Sequence, residues 1–143
     1  MARPHELYPY QYTPTVRKQL HEELRHVDVS QLSDFELDLW VAVAEGYVVS
    51  PYICRDEAHM VNGDSWVLPG ERMLPSGDIN GYCYYPSNNT LQSAVLIDKH
   101  NVKSRVVNGQ WNSVIPGTKD ITHGETKSES SMRCIVLKFK NSL

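Results

Sequence analysis

Tyr82-Cys83-Tyr84-Tyr85-Pro86-Ser87-Asn88-Asn89-Thr90 gathers the side chains in this sequence that are best suited to holding a small polar molecule. Three tyrosines precede hydroxyl and amide groups at a point where a helix can begin, and a helix N-terminus offers backbone N–H groups to an anion with the dipole assisting. Tyrosine rings beside such a terminus can stack on a base, and a cation from elsewhere, Lys103, Arg105 or Arg133, would complete a phosphate site. The expected contacts are Tyr82, Tyr84, Tyr85, Ser87, Asn88, Asn89, Thr90, Arg105, Trp111, His123 and Arg133. His123 is included because it stands in a glycine-flanked loop. Trp66 and Trp111, each just past a turn, serve either cross-strand packing or ligand stacking. The competing reading of the whole stretch is an ordinary capped helix after an aromatic-rich strand.

Catalysis leaves no comparable trace. The sequence holds no G-x-S-x-G, no P-loop, no dinucleotide fingerprint and no H-x-E with paired cysteines. Glu57 and His59 are close in sequence, but no nucleophile or metal motif accompanies them. His21-Glu22-Glu23-Leu24-Arg25-His26 imitates a zinc-protease helix, yet its histidines are five apart and diverge by roughly 140° around a helix of 3.6 residues per turn. Neither a metal nor a cofactor is expected. Cys54, Cys83 and Cys134 are odd in number and widely spaced, which argues against a disulfide framework and for a reducing compartment.

The elements that must position these groups follow from periodicity. In Leu32 to Gly46, Ser33 and Glu36 form a capping box, and Phe35, Leu39 and Val43 recur at four-residue spacing beside Leu37, Trp40, Val41 and Ala44. Gly46 ends that helix, and Asp34, Asp38 and Glu45 are read as its wet side. Thr13-Pro14 opens a shorter amphipathic helix over 14–26, behind a Tyr- and Pro-rich arm at residues 1–12. Tyr47 to Cys54 reads as a strand. Asn62-Gly63 and Asn108-Gly109 are hairpin turns between apolar positions. Two hairpins imply about four antiparallel strands, which need a helix to cover one face. Pro116 to Thr126 reads as loop. Residues 90–100 read as a helix capped by Asn88 or Asn89, with a strand as the alternative around Val95-Leu96-Ile97. Thr126-Lys127-Ser128-Glu129 is a second capping box, opening a final helix whose buried line is Met132, Ile135, Val136 and Phe139. The fold expected is α+β: an antiparallel sheet of about four strands in two hairpins, packed by three to four helices.

The 143 residues suffice for one core, divided as an arm and short helix (1–27) and one α+β domain (28–143). The net charge of −3 provides no general basic field, so nucleic acid is disfavoured as a partner, although local patches can still act. No apolar run reaches transmembrane length and no signal-peptide core is present, so no membrane partner is expected.

Three segments, Leu32 to Gly46, Tyr85 to Thr90 and Ser131-Met132-Arg133-Cys134-Ile135-Val136, come in the order and rough spacing of the NinX-like phage proteins, which the chain resembles over about 28–143. Where such proteins commonly read Ser-Thr-Asp-Trp and then paired glycines, this chain has Ser87-Asn88-Asn89-Thr90 followed by Gln92-Ser93-Ala94. The resemblance implies a phage or prophage protein made in the bacterial host cytoplasm and implies no reaction. Two functions fit: capture of a small nucleotide-derived ligand without turnover, across a homo-oligomer interface, or docking as an accessory module of phage replication or recombination.

Overall fold

A computed structural model describes residues 14–32, 34–46 and 85–143. The N-terminal arm, the Ser33 cap, the strand at Tyr47 to Cys54, the Asn62-Gly63 hairpin, Glu57, His59, Trp66, Tyr82 and Tyr84 lie outside the described residues.

Among the described residues four α-helices and three strands follow in the order α1 (Pro14–Leu24), a 3-10 turn (Val29–Gln31), α2 (Asp34–Ala44), α3 (Thr90–His100), β1 (Lys103–Val107), β2 (Gln110–Val114), β3 (Thr122–Gly124) and α4 (Lys127–Asn141). The class is α+β. The sheet is antiparallel in the order β1-β2-β3, so the described strands number three rather than four. The third is Thr122–Gly124, inside the stretch read as loop. Three residues carry too little alternation to signal a strand; pairing with β2 and cover from α4 make it one.

α2 is the inner helix. Leu37, Leu39, Trp40, Val41, Ala42 and Val43 are all buried, as an apolar helix surrounded by other elements must be. The supposed wet stripe is corrected here, because Asp38 and Glu45 are only 2% and 4% exposed. Each carboxylate is buried with partners from distant segments. Ser87 N–H donates to Asp38 Oδ1 at 2.8 Å, and Glu45 Oε1 and Oε2 lie 2.6 Å from Lys99 Nζ and His100 Nε2. These contacts fasten α2 to the C-terminal end of α3 and to the turn before that helix.

α3 settles its own ambiguity by its caps. Asn89 accepts the Gln92 N–H, and Asn101 ends the helix in the left-handed conformation at φ 56°. At the β1–β2 turn Asn108 and Gly109 both take positive φ, 53° and 77°, as the tightest hairpin turn requires. The register pairs Arg105 with Asn112 and Val106 with Trp111.

α4 lies across the inner face of the sheet. Its buried line holds Met132, Ile135 and Val136, with Phe139 half-buried and its ring edge-on to His21 of α1 at 5.4 Å. The layer between helix and strands is hydroxylic: Ser113 Oγ lies 2.7 Å from Ser104 Oγ and 2.6 Å from Ser130 Oγ, and Thr122 Oγ1 donates to the Ser130 carbonyl at 2.6 Å. Small side chains allow a close approach, and Gly124 is its limit. A Cβ placed there would stand 2.6 Å from the Ser130 backbone nitrogen.

Candidate functional site

β3 is short, and the surface around it is concave. On the inner face Ser104, Ser113 and Thr122 meet α4, so the alternate residues Lys103, Arg105, Asn112, Val114 and His123 point outward. A hollow of about 210 Å³ on that outward face is lined by Lys103, Arg105, Asn112, Val114 and Ile121 among others. Ile121 also borders a second hollow of about 330 Å³ running along β3 between the Asp28–Ser30 turn and α4, with His123, Arg133 and Lys140 on its walls. Gln110 and Arg133 carry the surface into a third, about 500 Å³, where Asn88, Glu125, Thr126 and Glu129 converge. Ile121 joins the first hollow to the second, and Gln110 and Arg133 join the second to the third, so the three follow one another as a groove around β3.

Local structure explains the lower end. Thr126 caps α4 by accepting the Glu129 N–H at 3.0 Å, and Glu129 Oε1 accepts the Glu125 N–H at 3.0 Å. The box expected from sequence forms, with its return bond falling on Glu125 instead of Thr126. Ser93 and Ser128 hydroxyls lie 2.8 Å apart, which brings the first turns of α3 and α4 together. The recess thus joins the entrance of two helices to the end of the sheet. Its lining has two amides, a hydroxyl, a guanidinium and two carboxylates.

The groove gathers four of the expected ligand residues, Asn88, Arg105, His123 and Arg133. Arg133 has structural duties there: Nε donates to the Leu32 carbonyl at 2.9 Å and Nη1 to the His123 carbonyl at 2.7 Å, while Glu129 lies 3.4 Å away. Ser87 is buried at 2% exposure with its amide on Asp38. Asn89 is committed to its cap and Thr90 is exposed on the first turn of α3. Tyr85 is half-buried and its N–H donates to Gln92 Oε1 at 2.8 Å. Trp111 is half-buried on the inner face, in register with Val106 and Gly124.

Sequence reasoning missed Gln110, Asn112, Glu125 and Glu129 as groove residues. The hairpin turn alone places Asn112 opposite Arg105; His123 joins that row only through the pairing of β3, where its Nδ1 lies 2.6 Å from Asn112 Oδ1. With that amide oxygen as acceptor, Nδ1 carries the proton. No cluster of three or more His, Cys, Asp or Glu able to hold a metal occurs among the described residues. No helix among them is long and apolar enough to cross a membrane.

A small α+β protein with a polar groove beside a short third strand is the class these features define. The family described as Bacteriophage P22, NinX matches residues 28–138, and the chain belongs to it. The match begins at the turn after α1 and ends within α4, so it takes in the groove except Lys140 and leaves α1 outside. Among curated proteins none matches the chain.

Proposed function

We propose that this NinX protein is a binding protein without turnover, which captures a small nucleotide-derived ligand in the recess at the lower end of the groove. The observation carrying the reading is the mixed lining of that hollow of about 500 Å³: Asn88 and Gln110 amides, Thr126, Arg133, and the Glu125 and Glu129 carboxylates. Amides in pairs suit the edge of a base, carboxylates accept from sugar hydroxyls or exocyclic amines, and a guanidinium suits a phosphate oxygen. The volume is that of a small-molecule site. Capture of a signal molecule in the infected cell is the use such a pocket would serve.

Isothermal titration of the purified protein against cyclic and linear nucleotides, with mass spectrometry of the recovered ligand, tests this. Expected are stoichiometric heat with one ligand class, an unchanged ligand mass, and at least tenfold weaker binding in Gln110→Ala and Glu125→Ala. Absence of heat with every nucleotide would remove the reading.

A protein-docking role is favoured by one separate feature. Leu91 and Val95, one turn apart on α3, are 81% and 57% exposed. If docking is the function, a single stoichiometric protein co-purifies with the native chain and not with Leu91→Asp/Val95→Asp.

A further inference from the structure

The outward face of the sheet bears a charge that composition does not announce. The chain as a whole is acidic, with a net charge of −3, yet Lys103, Arg105, Val107, Gln110, Asn112, Val114 and His123, the outward positions of the three strands, include two permanent cations and no carboxylate. Lys103 and Arg105 are exposed neighbours on one edge strand, two residues and so about 7 Å apart along it. Like charges set side by side repel. A face that only had to be wet would interleave the signs, as the exposed Glu22 and Arg25 do at the end of α1.

The same face holds a ring in a fixed pose. His123 is exposed, and its Nδ1 is pinned by Asn112 Oδ1 at 2.6 Å, in the cross-strand row Arg105–Asn112–His123. Beside the row, Ile121 is 57% exposed and Val114 half-buried, so the hollow next to Lys103 and Arg105 has an apolar floor, while Asn112 stands between Arg105 and the imidazole. Cations aligned along a strand, with a flat ring and an apolar floor beside them, are the two ingredients of sequence-tolerant single-strand binding: charges that track phosphates and a surface on which a base lies. An acidic peptide would use the cations and leave the pinned ring idle.

We propose that the outward face of β1–β3 binds single-stranded nucleic acid, with Lys103 and Arg105 on successive phosphates and His123 under a base. Lys103, Arg105 and His123 do not line the recess proposed for the nucleotide-derived ligand, so either reading can fail alone.

The test is fluorescence anisotropy of a labelled single-stranded 20-mer of thymidine, at pH 8 over a salt series, with the full chain. Two phosphate contacts predict a log–log salt slope of about −1.4, falling by about 0.7 in Arg105→Ala. His123→Ala should weaken binding about tenfold and leave the slope unchanged, since stacking and not charge is removed. All three side chains are exposed, so the variants should keep the fold, which circular dichroism verifies. The proposal is overturned by no anisotropy change at 100-fold excess of protein over label in low salt. It is also overturned by equal affinity in Lys103→Glu/Arg105→Glu, or by a polyglutamate peptide that displaces the oligonucleotide at equal charge concentration.

Discussion

Replacing Glu45 with glutamine keeps the size of a side chain that is only 4% exposed and removes its charge. Lys99 Nζ and His100 Nε2 each approach one of its oxygens at 2.6 Å, so the amide can serve one of them as acceptor and must turn its NH₂ toward the other. Breaking a buried ion pair from one side costs about 3–5 kcal/mol, but the Lys99 side chain is 48% exposed and recovers water, which lowers the expected cost to about 2 kcal/mol. For a chain of this length that lowers Tm by about 8 °C. The sign with pH is fixed as well. Burial pushes the Glu45 carboxyl up, and the hydrogen bonds and charges of His100 and Lys99 outweigh it, holding the group below the ordinary glutamate range. A carboxylate with a depressed folded pKa contributes stability above its unfolded value, and that contribution is lost as pH falls through the folded value. Calorimetry at pH 7, 5 and 3.5 should therefore show the gap between native protein and Glu45→Gln closing at the acid end. A gap under about 0.5 kcal/mol at pH 7, or one independent of pH, would refute the assignment of this carboxylate as a charged fastener.

Asp38→Ala should cost about 2–3 kcal/mol in urea unfolding, because the buried Ser87 N–H loses its acceptor, whereas Asp38→Asn, which keeps an oxygen there, should cost less than half as much. Gly124→Ala should destabilise by about 1–3 kcal/mol, since the new methyl meets the Ser130 backbone at 2.6 Å and α4 must move off the sheet; a neutral result would show that the two do not approach so closely. Cys134 is buried and burial raises its thiol pKa, so peptide mapping after alkylation at pH 7.5 should find it unmodified in the native protein and labelled in denaturant.

What the sequence made legible was local. The Asn108-Gly109 turn, the Thr126 cap, the buried line of α4 and the burial of Trp40 each rest on neighbours within a few residues, and each appears where expected. Asp38 and Glu45 misled for the opposite reason. A carboxylate on a helix is ordinarily wet, and the groups that reverse the rule here stand 49, 54 and 55 residues away. The groove shows the same division: Arg105 and Asn112 follow from one turn, while His123 needed a three-residue strand that has no periodicity of its own. The sequence marks Arg133 and His123 only as separate contacts of a ligand; Arg133 meets the His123 backbone carbonyl and not the ring.

Succession along the chain has a kinetic corollary. β1, β2, β3 and α4 follow one another with connections of two, seven and two residues, so their mutual contacts close short loops at small entropic expense. α2 joins through pairings that span about half a hundred residues. Topology of this kind places the sheet and α4 in the early nucleus and the docking of α2 after the barrier. Crowding Gly124 would then slow refolding, whereas neutralising Glu45 would mainly hasten unfolding.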